Sequence, residues 1–324
     1  MSRTSRVLTS ALAATLCCLC LSPARGQQSP TPAPTPVRVS LLVTDKEGRP
    51  VRGLNKEELR VTVGGVEQAV SALTVDESPL SYGLVVDNSA SLRELIEAAI
   101  VSAKLVILNS RPVDEGFVVR FVASERITLL QDFTSERALL DRALDQMYVE
   151  GGQTALVDAL YLAVENFKAK GKGRAAGPRR RALVLISDGE DRASYYKPDQ
   201  LVKRLHEEDI RVFCVGLTGL LENQRRMNVA SKSSREKSEA LLTRLAKETG
   251  GRAFFVEKVG ELKDAAEQIV AHLRAEHVVE FSPAGKGGGP AKGKLEIKPS
   301  EATKNVRVIV HQPLTMKDGG IQRD

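Results

Sequence analysis

From Ser81 onward, short uninterrupted apolar runs alternate with segments whose apolar side chains return every three or four positions. The runs are YGLVVD (82–87), GFVVRFVA (116–123), RITLLQ (126–131), RALVLIS (181–187), IRVFCVG (210–216) and RAFFV (252–256). Runs this apolar suit strands whose two faces are both covered, as in a parallel sheet between helical layers. The segments between them predict helices over 92–109, 135–147, 155–169, 198–208, 236–249 and 260–275. Leu156, Leu160, Ala163 and Phe167 share one helical face, as do Leu262, Ala266, Ile269 and Leu273. Residues 117–131 read as two strands joined tightly at Ser124-Glu125, which predicts one antiparallel edge strand.

Outside this region the period changes to two. VRVSLLVT (37–44) and ELRVTVGG (58–65) precede it, with DKEGRP (45–50) as a turn; HVVEFSP (277–283), KLEIKP (294–299) and NVRVIVHQP (305–313) follow it. The expected fold is therefore a doubly wound, mostly parallel α/β sheet over 80–275. A small β-sandwich-like subdomain accompanies it, assembled from strands in 37–78 and 276–315, with 316–324 as a tail.

The N-terminus adds a different signal. Arg3 and Arg6 precede the apolar stretch VLTSALAATLCCLCL (7–21), and SPARG places Ala24 and Gly26 before a small-x-small cut after residue 26. We read residues 1–26 as a signal peptide and the protein as secreted or periplasmic. The apolar stretch is too short for a comfortable membrane span. Lipidation of Cys17, Cys18 or Cys20 is the rival reading. Residues 27–36 are a Pro-rich linker, and their SPTPAPTP (29–36) favours an extended spacer.

This assignment changes the meaning of two counts. The formal charge of +6 falls to +3 without Arg3, Arg6 and Arg25, so the chain is not a general polyanion binder. Of four cysteines only Cys214 remains, which excludes an internal disulfide and leaves Cys214 as a core residue of an apolar strand. With 42% apolar residues, 324 residues suffice for one large domain and a smaller one.

Candidate chemistry sits where strands give way to helices. DNSAS (87–91) ends an apolar strand in Asp87 and places Ser89 and Ser91 at alternate positions. EGGQTALVDAL (150–160) places Thr154 before a helix, and RALVLISDGED (181–191) ends another strand in Asp188. Each stretch alone also fits an N-cap or a strand-ending turn. Together they gather carboxylate and hydroxyl oxygens at the carboxyl ends of strands, where doubly wound sheets bind ligands and where a hard cation finds suitable donors.

The set DNSAS, GGQTAL and LISDGED, in this order on this alternation, resembles the metal-ion-dependent adhesion site of von Willebrand factor type A domains. The flanking VTDKEGRPVRGLNKEELRVTVGG (43–65) and the C-terminal strands are similar to a bacterial secreted subgroup of that family. The resemblance implies a Rossmann-like fold and makes Asp87, Ser89, Ser91, Thr154 and Asp188 the metal ligands. It implies a divalent cation, Mg²⁺ foremost with Mn²⁺ or Ca²⁺ as alternatives, and a protein partner that presents an acidic side chain.

Other features refine this expectation. Tyr195 and Tyr196 in RASYYKP (192–198) are candidate partner contacts or packing residues. Arg225 and Arg226 lie in a long stretch, 217–237, read as a solvated mobile loop or as one that steers an acidic partner toward the metal. The basic run KAKGKGRAAGPRRR (168–181) is either a solvated loop or a contact for anionic surface polymers; it lacks the interleaved aromatics of a nucleic-acid site. Glu190 and Asp191 read as solvated loop acids or as groups behind the ligands, with a catalytic-acid role as the alternative. GGPAKGKL (288–295) fits a phosphate-loop pattern, but Leu295 stands where a Ser or Thr is needed, and a strand follows. His206, His272, His277 and His311 fall away from the rim, and no base is visible beside Ser89. The expected function is a non-enzymatic, metal-dependent protein-binding module. A structural or assembly protein binding without metal is the first alternative, and a metal-dependent hydrolase the distant one.

Overall fold

The computed structural model describes residues 36–171, 179–220, 229–285, 289, 291–311, 314–317 and 320–323. The elements in chain order are β1 (Val37–Thr44), β2 (Leu59–Val63), β3 (Val66–Gln68), β4 (Val70–Val75), β5 (Leu80–Asp87), α1 (Ile96–Asn109), β6 (Glu115–Phe121) and β7 (Ile127–Thr134). There follow α2 (Arg137–Asp145), α3 (Leu156–Gly171), β8 (Arg180–Ser187), α4 (Pro198–Glu207), β9 (Ile210–Gly216), α5 (Val229–Glu248), β10 (Ala253–Phe255) and α6 (Glu261–Arg274). The chain ends in β11 (Glu276–Phe281), β12 (Gly293–Pro299), β13 (Arg307–Val310), β14 (Leu314–Lys317) and β15 (Gly320–Arg323).

Six strands form the central sheet in the order β10-β9-β8-β5-β6-β7. All neighbours are parallel except β7, which runs antiparallel to β6 at the edge after a 3₁₀ turn at Ser124–Arg126. The apolar runs are explained by two cores. Leu84, Val86, Val184, Ile186, Phe213 and Val215 face the core that includes α1, α2 and α6. Val85, Leu183, Leu185, Val212 and Cys214 face the other, with α3, α4 and α5. Successive side chains of a strand point to opposite faces, so a strand covered on both must be apolar throughout. Gly83 is needed in β5 because a Cβ there would lie 2.2 Å from the Phe117 ring and 2.6 Å from Leu183.

The period-two segments pair with one another across the length of the chain. Strand β1 lies between β11 and β13, and β4 adds to β11. A second antiparallel sheet runs β15-β14-β12-β2-β3. Val39, Leu41, Val61, Val279, Phe281, Ile297 and Met316 close a shared core between the two sheets. Leu295, at the phosphate-loop position, is strand-paired with Val63.

Four expectations need correction. The segment 316–324, expected as a tail, instead supplies the end of β14 and all of β15 to the second antiparallel sheet, with Met316 paired to Ile321. The helix expected over 92–109 begins at Ile96, after a 3₁₀ turn at Ala90–Leu92, because the chain turns sharply behind Asp87. The stretch 217–237 is not one loop: α5 begins at Val229, although its first turns lack an apolar stripe. Its polar contacts lie further along, where Thr218 Oγ1 and Arg235 Nε both donate to Glu239 Oε1 at 2.9 and 2.6 Å. Finally, the last arginines of 168–181 turn inward. Arg180 is buried, Arg179 bonds Ser81 Oγ and the carbonyls of Leu80 and Val113, and Arg181 pairs with Glu208 at 3.0 Å. No helix among the described residues is long and apolar enough to cross a membrane, and residues 1–26, read above as a signal peptide, lie outside those residues.

Candidate metal centre

Strand β5 ends in Asp87 and its neighbour β8 ends in Ser187, with Asp188 next, so two strand ends side by side deliver two carboxylates to one rim. Asp87 Oδ1 accepts the Ser89 amide at 2.9 Å, which folds the chain back at once and brings both serines over the strand end. Asp87 Oδ2 accepts the Ser187 hydroxyl at 2.7 Å, and Ser187 Oγ in turn accepts the Gly189 amide at 2.9 Å. Gly189 has φ of 78°, the left-handed region, and a Cβ there would meet Leu242 at 2.9 Å. The hydroxyls of Ser89 and Ser91 lie 2.8 Å apart, and Ser91 faces the Asp188 carboxylate.

The second loop is tied to the first through Asn88. Its amide donates to the Phe121 carbonyl at 3.0 Å, its Nδ2 to the Tyr148 carbonyl at 3.0 Å, and its carbonyl accepts the Glu150 amide at 2.8 Å. Thr154 sits buried just before α3, and its carbonyl accepts the amides of Arg192 and Ala193 at 2.8 and 3.1 Å. Direct contacts thus join Asp87, Ser89, Ser91 and Asp188, while Thr154 is bound to the third loop through its backbone.

Helix capping does not account for these side chains. The residue before α1 is Leu95, and neither it nor Ser89, which precedes the 3₁₀ turn, makes a side-chain cap bond. At α3 the Leu156 and Val157 amides go to Asp191 Oδ1, at 2.9 and 3.4 Å, rather than to Thr154. The oxygens that resemble ligands are therefore not consumed as caps.

Electrostatics sharpen the point. Burial, with the neighbouring Asp188 carboxylate, pushes the Asp87 carboxyl well above the usual carboxylate range; burial raises Asp188 too. Among the described residues neither carboxylate has a salt-bridge partner, although Arg192 is close enough to favour the charged form of Asp188. Two buried neighbouring acids with hydroxyl oxygens around them are short of positive charge and rich in hard donors. That donor set fits a divalent cation such as Mg²⁺. Its acids are only two, and the described residues contain no cluster of three or more His, Cys, Asp or Glu, so the remaining donors would have to be hydroxyls and water.

Around this centre the candidate contact residues separate. Tyr195 is 81% exposed. Tyr196 is half-buried and stacks on Tyr161 with ring centroids 3.7 Å apart, while Tyr195 stands edge-on to Tyr196 at 5.3 Å. Arg225 and Arg226 lie outside the described residues. Glu190 pairs with Arg192 at 2.8 Å. His206 is on α4, His272 on α6, His277 on β11 and His311 just after β13, all away from the rim. Cys214 is buried, and burial raises its thiol pKa, as befits a packing residue.

Four polar residues at the centre were not singled out as site residues from the sequence: Ser187, Asn88, Asp158 and, beyond its reading as a loop acid, Asp191. Ser187 carries a visible signal, as the polar end of an otherwise apolar strand. Asn88 sits inside DNSAS but matches no ligand position, and Asp158 reads as an ordinary acid in the first turn of a helix.

Comparison with known proteins bears on the family and the fold. The von Willebrand factor type A domain family matches residues 83–268, more than half of the chain. No curated protein matches. Among solved structures, a conserved hypothetical protein BatB from Bacteroides thetaiotaomicron is 17% identical, with a TM-score of 0.46 over 60% of this chain and 98% of its own. Proximal thread matrix protein 1 from the mussel byssus, with a zinc-occupied MIDAS motif, is 17% identical, with a TM-score of 0.46 over 64% of this chain and 48% of its own. A von Willebrand factor type A protein from Catenulispora acidiphila is 13% identical, with a TM-score of 0.45 over 91% of this chain and 73% of its own. The chain belongs to the von Willebrand factor type A domain family.

Proposed function

We propose that this protein is an extracytoplasmic protein-binding module whose Asp87, Ser89, Ser91, Thr154 and Asp188 hold a divalent cation, Mg²⁺ foremost, and whose partner supplies an acidic side chain. One observation carries the reading: two buried carboxylates meet at adjacent strand ends, surrounded by hydroxyls that cap no helix. When bound, the cation supplies a coordination position that a carboxylate from outside can fill, and with it the positive charge the centre lacks.

The chain's own residues then have separate tasks. Asp87 and Asp188 neutralise the charge, the three hydroxyls offer neutral oxygens, and Ser91, the half-exposed member, marks the side open to a partner. Tyr195 is the better candidate for an aromatic contact, since Tyr196 is engaged by Tyr161. Arg225 and Arg226 are carried as steering residues from the sequence alone. Contact of 168–181 with anionic polymers has less support, because three of its arginines are engaged internally and Lys170 pairs with Asp132 at 2.6 Å.

Recognition is favoured over turnover. Ser89, the nucleophile an enzyme would use, has the Ser91 hydroxyl beside it, and the histidines are elsewhere. The test is a pull-down from the native extracellular fraction using wild-type protein and Asp87→Ala, each in Mg²⁺ and in chelator. Partners retained only by wild type in Mg²⁺ support the proposal. Equal retention with chelator or in Asp87→Ala removes it and favours a metal-free assembly role.

A further inference from the structure

Two carboxylates outside the candidate ligand set are arranged reciprocally at the edge of the site. Asp191, on the loop after β8, reaches to α3 and accepts the Leu156 and Val157 amides through Oδ1, at 2.9 and 3.4 Å. Asp158, on α3, reaches back and accepts the Tyr196 amide through Oδ1 and the Tyr195 amide through Oδ2, both at 2.9 Å. Ser194 joins the two: its hydroxyl donates to Asp191 Oδ1 at 2.5 Å and accepts the Asp158 amide at 3.2 Å. Ser124, from the β6–β7 turn, donates to Asp158 Oδ2 at 2.5 Å. The Thr154 carbonyl closes the pattern by accepting the Arg192 and Ala193 amides.

We propose that Asp158 and Asp191 are positioning residues which pin the start of α3 and the third loop to each other, and so fix Thr154 relative to Asp188. The inference rests on the metal-binding reading above. Its physical basis is that the free amides at a helix N-terminus need acceptors, and here a distant loop supplies them in exchange for acceptors of its own. Neither residue needs to touch the cation. Both oxygens of Asp158 and Oδ1 of Asp191 are occupied by backbone amides and hydroxyls. In this position the staple acts as outer partners do at metal sites, where loss of one orienting bond lowers metal affinity by about 10–100-fold. The same bonds hold the backbone beneath Tyr195, so that ring is presented from an ordered loop.

The experiment compares wild type, Asp191→Ala and Asp191→Asn. Mn²⁺ affinity is measured calorimetrically, and amide hydrogen exchange over 154–158 and 190–196 is followed in the metal-free proteins. The asparagine retains an oxygen acceptor for Leu156 and Val157, so rescue is its signature. The expected result is at least tenfold weaker Mn²⁺ binding in Asp191→Ala, recovery to within about threefold in Asp191→Asn, and faster exchange in both segments of the alanine variant only. Wild-type affinity in Asp191→Ala, or equal loss in both variants, overturns the proposal. If Asp191→Ala does not fold, Ser194→Ala, which cuts the link between the two carboxylates, is read by the same two measurements, and unchanged exchange and affinity overturn the proposal. Absence of Mn²⁺ binding by wild type defeats the metal reading instead, and exchange in the metal-free proteins then decides the staple separately.

Discussion

The Ser187 hydroxyl donates to Asp87 Oδ2 at 2.7 Å, linking the last residue of β8 to the last residue of β5. The bond fixes the carboxylate rotamer, and through the Gly189 amide it also fixes the turn that carries Asp188. The two acids of the candidate centre are therefore oriented by a residue that matches none of the proposed ligands. Ser187→Ala is expected to weaken Mg²⁺ or Mn²⁺ binding about tenfold while shifting the melting temperature of metal-free protein by only a few degrees. Calorimetric titration beside a thermal melt in chelator checks this.

Arg211 on β9 and Glu276 on β11 form a fully buried ion pair between the central sheet and the antiparallel strands. Glu276→Gln removes the carboxylate paired with Arg211, leaving only the more distant Asp209 and Asp76 to favour its charge, and is expected to cost about 3–5 kcal/mol in urea denaturation. Replacing both residues by apolar ones, Arg211→Met with Glu276→Leu, is expected to recover most of that loss, because the pair's desolvation cost disappears with it.

Acid should weaken the fold through its histidines. Burial lowers the pKa of His272, His277 and His311 below the ordinary imidazole value; for His311 the nearby Arg211 pushes the same way, while Asp209 opposes it. Below about pH 6.5 the unfolded chain then binds protons that the folded chain refuses, so stability falls as pH falls. One such histidine contributes up to about 1.4 kcal/mol per pH unit in that window. Denaturation curves from pH 7.5 to 5 in saturating Mg²⁺ are expected to show this slope, and His311→Gln is expected to flatten it.

The two neighbouring tyrosines should separate by assay. Tyr196→Ala removes the ring stacked on Tyr161 and is expected to cost about 1–3 kcal/mol of stability. Tyr195→Ala removes a ring that is almost wholly in solvent and is expected to change stability by less than about 0.5 kcal/mol, yet to weaken capture of the partner. Denaturation and pull-down on the same pair of variants check both halves.

The sheet was readable because its strands obey a simple constraint. Leu84, Val85 and Val86 must feed two cores in turn, and a run that is apolar at every position has few other uses. The antiparallel edge at β7 was readable because Ser124 and Glu125 interrupt one long apolar stretch. The beginning of α5 was not, because its first residues, VASKSSREK, carry no periodic apolar stripe. At the candidate site the proposed ligands were legible as acids and hydroxyls at strand ends. Their supports were not: Asp158, Asp191 and Asn88 act through backbone amides and carbonyls tens of residues away, and such pairings appear only once the chain is folded.

The central claim is that Asp87, Ser89, Ser91, Thr154 and Asp188 share one divalent cation. Titrating Mn²⁺ into metal-free wild-type protein and into Asp188→Asn, with electron paramagnetic resonance reporting free ion, tests it most directly. The account predicts one bound ion per wild-type chain, displaced by Mg²⁺, and at least tenfold weaker binding in the variant. A wild-type chain that leaves Mn²⁺ free in solution, or a variant that binds it equally well, contradicts the account.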